Sequence, residues 1–201
     1  MNMSLRRTLG SFLGLTLVVL ALGCAARRAT GPYNAPTEVM RNPLEAQRLT
    51  QQAADLMESD PARAETMLRE ALTLDLYHGP AHNNLGVLHL KRGELYEAAN
   101  EFEWARKLMP GHPDPRLNLA LTLERAGRID EALAACDSAL EVYPGHIATV
   151  QALARLQLRH RRTDDRTNGM LTEIVMRGTS DEWKAWARGQ LLRRAESQHA
   201  P

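Results

Sequence analysis

Compared with itself at a shift of 34 residues, the chain matches in one column after another. Leu85, Leu119 and Leu153 coincide, and beside them the small residues Gly86, Ala120 and Ala154. Ala64, Ala98 and Ala132 form a further column, as do Ala71, Ala105 and Ala139. Leu68, Phe102 and Cys136 share an apolar place, Leu74, Leu108 and Val142 another, and Gly93 aligns with Gly127. A fixed period in this range means supersecondary units stacked side by side, because one unit cannot bury its apolar face alone.

Within residues 79–112 the period resolves into two helices. Leu85, Val87, Leu88 and Leu90 follow helical spacing up to Gly93, a helix-ending residue. Leu95, Ala98, Ala99, Phe102, Ala105 and Leu108 keep the i, i+3/i+4 rule until Pro110 stops it. Aromatics are only 4% of the residues and the apolar content is mostly Ala and Leu, which favours helices. The Gly86/Ala120/Ala154 column predicts that the helices of each pair lie close, since a bulky side chain there would push them apart.

These positions resemble the tetratricopeptide repeat family. In residues 79–112 the family pattern falls on Leu85-Gly86, His89, Ala98, Phe102, Ala105 and Pro110. In residues 113–146 it falls on Leu119-Ala120, Leu123, Ala132, Cys136, Ala139 and Pro144. Two departures are His82 and His89, which stand in the usual Trp and Tyr places. The resemblance implies an all-α solenoid of about three to four helix-turn-helix units over residues 43–178, closed by a capping helix over residues 179–196.

The flanking units are less regular. Asn42-Pro43-Leu44-Glu45 reads as an N-cap, a first-turn Pro and a capping-box Glu, and Asp60-Pro61 starts a second helix the same way. Ala53 or Ala54 lies one or two residues off the small column, which predicts a shorter turn inside this first unit. Residues 147–161 read as a further first helix, but the partner segment "DDRTNGMLTEIVMRG" lacks the Ala column and leaves a complete fourth repeat open. Thr179 and Glu182 read as a capping box for the last helix, whose apolar side carries Trp183, Trp186, Ala187 and Leu191.

His78, His112 and His146 also recur at the period. Successive helix layers stand ~8–10 Å apart, whereas zinc ligands all lie ~2 Å from one ion. These histidines are therefore expected to be exposed turn residues rather than a metal ladder. His82 and His89 are expected in the core, with no acidic or Cys partner at matching spacing. Cys136, on the apolar stripe, reads as a small buried hydrophobe. The chain has no phosphate-binding Gly loop, HExxH or GxSxG, so neither catalysis, a cofactor nor a metal is expected. Its 25 basic and 24 acidic residues give no bulk case for nucleic-acid binding.

The amino terminus carries a different signal. Arg6 and Arg7 precede an apolar run from Leu9 to Leu22, which is shorter than the ~20 residues of a membrane-spanning helix and reads as a secretory signal. Ala21-Leu22-Gly23-Cys24 resembles the bacterial lipobox. That resemblance implies removal of residues 1–23, acylation of Cys24 and a flexible tether over residues 24–42. Ala25 rather than Asp after the Cys implies, by resemblance to the proteobacterial sorting rule, the outer membrane, facing the periplasm. An ordinary signal peptide with an incidental Cys is the alternative.

In the tetratricopeptide repeat family the concave side, lined by the first helix of each pair, binds peptides or partner helices. Asn84 and Asn118, with Asn83 adjacent, lie where the resemblance places Asn against a ligand backbone. Lys91, Arg125 and Arg159 form a basic row in the last turn of each first helix, and Arg155 faces near the same groove. The row has two readings: favourable placement against the helix dipole, or recruitment of an acidic partner segment. Together these features imply a non-enzymatic, lipid-anchored adaptor for a protein or peptide partner, with pilotins of type IV pilus secretins the nearest functional analogy and outer-membrane assembly scaffolds next. An accessory subunit of a cell-wall or secretion enzyme complex, or a self-assembling structural protein, is the alternative.

Overall fold

A computed structural model describes residues 41–198. The signal segment, Cys24 and the tether as far as residue 40 lie outside the described residues. Among the described residues every regular element is a helix: α1 Pro43–Leu56, α2 Pro61–Leu74, α3 Gly79–Arg92, α4 Leu95–Leu108, α5 Asp114–Arg125, α6 Ile129–Val142, α7 Ile147–Arg159, α8 Thr167–Arg177 and α9 Asp181–Gln198. The fold is the expected all-α repeat solenoid. No helix among the described residues is long and apolar enough to cross a membrane.

The period is strictest in the second helix of each pair. α2, α4 and α6 begin at Pro61, Leu95 and Ile129, each 34 residues after the last. Each buries its alanine and apolar columns: Ala64, Leu68 and Ala71; Ala98, Phe102 and Ala105; Ala132, Cys136 and Ala139. Each helix packs on its hairpin partner and on the first helix of the next unit, and α1, α3, α5 and α7 also touch one another in series. α1, α3, α5 and α7 therefore form one layer, the odd-helix layer. The core divides into three successive clusters along the stack, as expected when each unit contacts only its neighbours.

Gly86 shows what the small column does. A Cβ placed on it would stand 2.7 Å from Cε1 of Phe102, whose ring is fully buried. Close approach of α3 to α4 thus depends on the missing methyl. Gly93 and Gly127 end α3 and α5 in the left-handed region, at φ 78° and 76°. A Cβ at either would meet nothing within 4 Å, so the conformation alone demands Gly. Gly93→Ala and Gly127→Ala are each expected to cost about 1 kcal/mol, measured as a lower urea midpoint at unchanged slope.

Both irregular units keep their helices, for reasons the 34-residue comparison hides. In the first, Asn42 Oδ1 accepts from Glu45 N–H at 3.2 Å, as a cap should. Glu45 does not complete the box: its carboxylate takes two hydrogen bonds from Arg48, and Asn42 N–H donates to Leu74 O. The turn between α1 and α2, residues 57–60, is longer than the two residues between α3 and α4, not shorter. The α1 start precedes that of α3 by 36 residues, so Thr50, not Ala53 or Ala54, takes the small place of Gly86. Thr50 is buried there with its hydroxyl donated to Ala46 O at 2.8 Å.

In the fourth unit Arg161 occupies the Gly93/Gly127 place, at φ 55°. α8 then starts at Thr167, four residues later than the period would put it. Four residues are close to one helical turn, so the same face returns to the core, with Met170 in the alanine place and Ile174 in the place of Leu68, Phe102 and Cys136. The longer turn is held by a buried polar set. Thr167 Oγ1 donates to Gln157 Oε1 at 2.8 Å, and Gln157 Nε2 donates to Asp164 Oδ2 at 2.8 Å. Last, the cap of α9 is Ser180 rather than Thr179: Trp183 N–H donates to Ser180 Oγ at 3.3 Å, while Thr179 pairs with Gln151 of α7. Ala187 is fully buried, and Trp183, Trp186 and Leu191 pack on the last cluster.

Candidate functional site

The odd-helix layer carries every internal candidate residue singled out above. Asn83 on α3 and Asn118 on α5 meet directly: Asn118 Nδ2 donates to Asn83 Oδ1 at 3.0 Å. Asn83 Nδ2 in turn reaches Asn84 Oδ1 at 3.5 Å. All three are half-buried, so the amides form a ladder between successive units as well as a polar strip in the layer.

The basic row is engaged within the chain. Each member reaches back to the preceding unit: Lys91 pairs with Glu58, Arg125 Nη1 donates to Leu90 O at 3.0 Å, and Arg159 Nη1 donates to Glu124 Oε1 at 3.3 Å. Arg125 thereby satisfies a carbonyl in the last turn of α3, where a cation is also favoured by the helix dipole.

Three of the cations converge. Arg125, Arg155 and Arg159 line one cleft of about 500 Å³ with Leu90, Leu121, Glu124 and His160. Glu124 is the organising residue. Its side chain is 10% exposed and accepts from Arg155 Nη2 at 3.2 Å and Arg159 Nη1 at 3.3 Å. Both distances are long for charge-assisted bonds, which reach ~2.7–2.9 Å when tight. Arg155 Nε and His160 Nε2 are buried without a hydrogen-bond partner; His160 Nε2 stands 3.9 Å from Glu124. Three guanidinium groups against one carboxylate leave the cleft positive.

Lys91 lies apart from this group. It borders a second cleft of about 580 Å³, between the α1–α2 turn and the end of α3, with Met57, Pro61, Ala62 and Leu88 on its apolar side. Ion pairs close its rim. Burial alone would raise the Glu65 carboxyl there, but hydrogen bonds from Arg92 and Arg69 outweigh that and hold it below the usual carboxylate range.

Sequence reasoning missed Leu90, Leu121, Glu124 and His160. The period runs through three of them. Val87, Leu121 and Arg155 are 34 apart, as are Leu90, Glu124 and Leu158. These columns change chemistry from unit to unit, so no match marked them.

The histidines divide as their positions require. His82 and His89 are buried, as expected, but each has an acidic partner that spacing did not reveal. His82 Nδ1 lies 2.6 Å from Glu101 Oε2, its Nε2 donates to Leu76 O at 2.9 Å, and its ring stacks on Trp104. His89 Nδ1 lies 2.5 Å from Glu94 Oε2. His78, His112 and His146 sit in equivalent turns, each donating its N–H to the carbonyl three residues back. His112 is exposed, but His78 and His146 are half-buried, because each precedes the first residue of a helix that packs into the stack. No group of three His, Cys, Asp or Glu among the described residues could hold a metal.

Cys136 is 1% exposed, and burial pushes its thiol up to about 12 from 9.0. A raised pKa means that the native state keeps its proton where the unfolded chain loses it. This contribution is complete below pH 9.0 and is lost between pH 9.0 and about 12. A fragment beginning at Ala25 is expected to react with a thiol reagent at pH 8 only on unfolding, and its urea midpoint to fall above pH 9.0 less steeply in Cys136→Ala. Rapid native labelling would contradict the packing.

The tetratricopeptide repeat family model matches residues 54–103 and 84–147. Tetratricopeptide repeat protein 8 of Mus musculus is 26% identical over 98 residues, 49% of this chain and 19% of its own length. The chain thus spans about a fifth of the curated relatives it matches. Among solved structures, the first repeat domain of Spaghetti (RPAP3) bound to the HSP90 peptide SRMEEVD aligns at a TM-score of 0.57 with 12% identity, over 61% of this chain and 98% of that one. MamA from Desulfovibrio magneticus RS-1 aligns at 0.53 with 19% identity, over 77% of this chain and 78% of that one. At such identities the two structures show a shared fold.

Proposed function

From a chain whose residues 54–147 match tetratricopeptide repeats, we propose a non-enzymatic scaffold that captures a segment of a partner protein along its odd-helix layer and holds it near a membrane. The observation that carries this reading is the cleft at Arg125, Arg155 and Arg159, where side chains of α5 and α7 converge with Leu90 of α3. The peptide named with the RPAP3 structure supports it by analogy of fold. The anchor belongs to the proposal too. Cys24, in its lipobox-like setting, would carry the acyl chains, residues 24–42 would set the reach, and the site would be the periplasmic face of a bacterial outer membrane. Confining scaffold and partner to one surface raises their effective concentration without any new contact. Assembly of an envelope complex such as a pilus secretin suits that geometry.

Two experiments test the reading. A photo-crosslinking residue at Leu121, in the cleft, is expected to trap a partner from intact membranes. The same residue at Tyr96, exposed on α4, is not. Equal trapping at both positions would remove the layer from the proposal. Separately, Cys24→Ser is expected to move the protein from the membrane to the soluble fraction, and retention would count against the lipid anchor.

A further inference from the structure

The Arg155 side chain borders two hollows. One is the basic cleft on α3, α5 and α7. The other, of about 250 Å³, is lined by Arg155, Glu182, Trp183 and Trp186 and lies against the first turns of α9. The two indole rings meet edge to face, with centroids 5.2 Å apart at 86°, and both remain half-exposed. The two hollows adjoin at Arg155, which stands between the two chemically different ends of one candidate track. The cleft end offers guanidinium groups. The α9 end offers an apolar aromatic surface beside a carboxylate.

We infer that this track reads a bipartite partner segment: an extended peptide whose acidic side chain enters the arginine cleft and whose apolar or aromatic side chain lies on Trp183 and Trp186. The inference rests on the scaffold reading above and names the partner's chemistry.

Charge complementarity selects the first element. Arg155 and Arg159 each give Glu124 one long hydrogen bond, so each keeps N–H groups to offer, and Arg155 Nε and His160 Nε2 are buried without partners. A buried donor without a partner, such as Arg155 Nε, is rare in folded proteins, and a carboxylate suits the guanidinium groups because it accepts from several N–H groups at once. The aromatic pair selects the second element, since indole faces bury large apolar area at low entropic cost. Glu182 sets direction: it repels a second acid at the α9 end, so the segment carries acid and apolar groups in separate places. Glu124 already occupies part of the cleft with a carboxylate of its own. It acts as an internal competitor that weakens the incoming one.

The test uses the full chain in detergent micelles and fluorescein-labelled ten-residue peptides. Each peptide carries one Asp and one Phe separated by one to four Gly or Ser residues, and binding is read by anisotropy. At the matching separation, changing Asp to Asn or Phe to Ser in the peptide is expected to weaken binding about tenfold or more, the scale of one charge-assisted or one aromatic contact. Arg155→Met weakens the Asp peptide equally and the Asn peptide little. Arg159→Ala, at a side chain 68% exposed and so safe for folding, reproduces that pattern. Glu124→Gln tightens binding severalfold, a gain that a merely structural role would not produce. Equal affinity for the Asp and Asn peptides overturns the inference, as does absence of binding at every separation. Neither result touches the trapping of a partner at Leu121, so the scaffold reading stands or falls on its own experiment.

Discussion

Phe102→Ala is expected to lower the unfolding free energy by about 3–5 kcal/mol, the scale for emptying a buried aromatic site. Phe102 is fully buried, and a Cβ on Gly86 would stand 2.7 Å from its Cε1 and 2.8 Å from its Cδ1. Gly86 and Phe102 are thus one steric unit. The next repeat solves the same problem with Ala120 and Cys136, a larger residue opposite a smaller one, in a common cluster. Gly86→Ala gains about 1 kcal/mol of helix propensity but forces the ring to move, at about 1–3 kcal/mol. It should therefore destabilise by less than Phe102→Ala. Combined with Phe102→Leu, which removes the ring atoms in the way, Gly86→Ala should become neutral or favourable. Urea denaturation of the single and double variants closes the cycle, with a coupling of about 1 kcal/mol or more expected. Strict additivity would mean that the two residues do not share the space between α3 and α4.

Truncation after Gly178 is the second large effect. It removes α9 and with it Ala187, Leu191, Trp183 and Trp186 from the last core cluster, exposing the far side of α8. At about 25 cal/mol per Å² of apolar surface, two half-buried indoles and a leucine contribute on the order of 5 kcal/mol. That is a large share of the ~5–15 kcal/mol of a typical domain. Because stability in a stacked array is local, the loss should not spread evenly. Hydrogen exchange should show α7 and α8 losing protection while α3 to α6 keep theirs. Uniform loss along the chain would show a single cooperative unit instead. On α1, by contrast, Gln47, Arg48, Gln51, Gln52 and Asp55 are exposed and polar.

The candidate site was legible in outline. Arg125 and Arg159 were visible, with Lys91, as a basic row because each stands near the end of a first helix, and Arg155 was placed near the same groove. The periodicity located them without showing that they share a cleft, nor that Lys91 belongs to another. Each pairing in the cleft joins residues of different units: Arg155 and Arg159 reach Glu124 from 31 and 35 residues away, and Arg125 reaches Leu90 from 35. A side chain of ~6 Å spans that gap or fails to according to the lateral offset of two helices, which packing sets. The partners of His82 and His89 were hidden for the same reason. Glu101 comes from the neighbouring helix, and Glu94 folds back across the turn that follows α3.

What the amino-acid sequence determined by itself is the local and repeating part: two helices per unit, glycines at 93 and 127 where the chain turns left-handed, and the alanine columns that α2, α4 and α6 bury. Such features depend on neighbours a few residues away or one period away, and a shift of 34 exposes them. Only the tertiary structure decided the rest. It placed Thr50 in the small column of a unit offset by 36 residues, and it returned Met170 and Ile174 to the core after four extra residues. It also gathered three arginines around Glu124. In each case the outcome follows from how far one helix slides along another, a distance set by the whole packed interface and by no single residue.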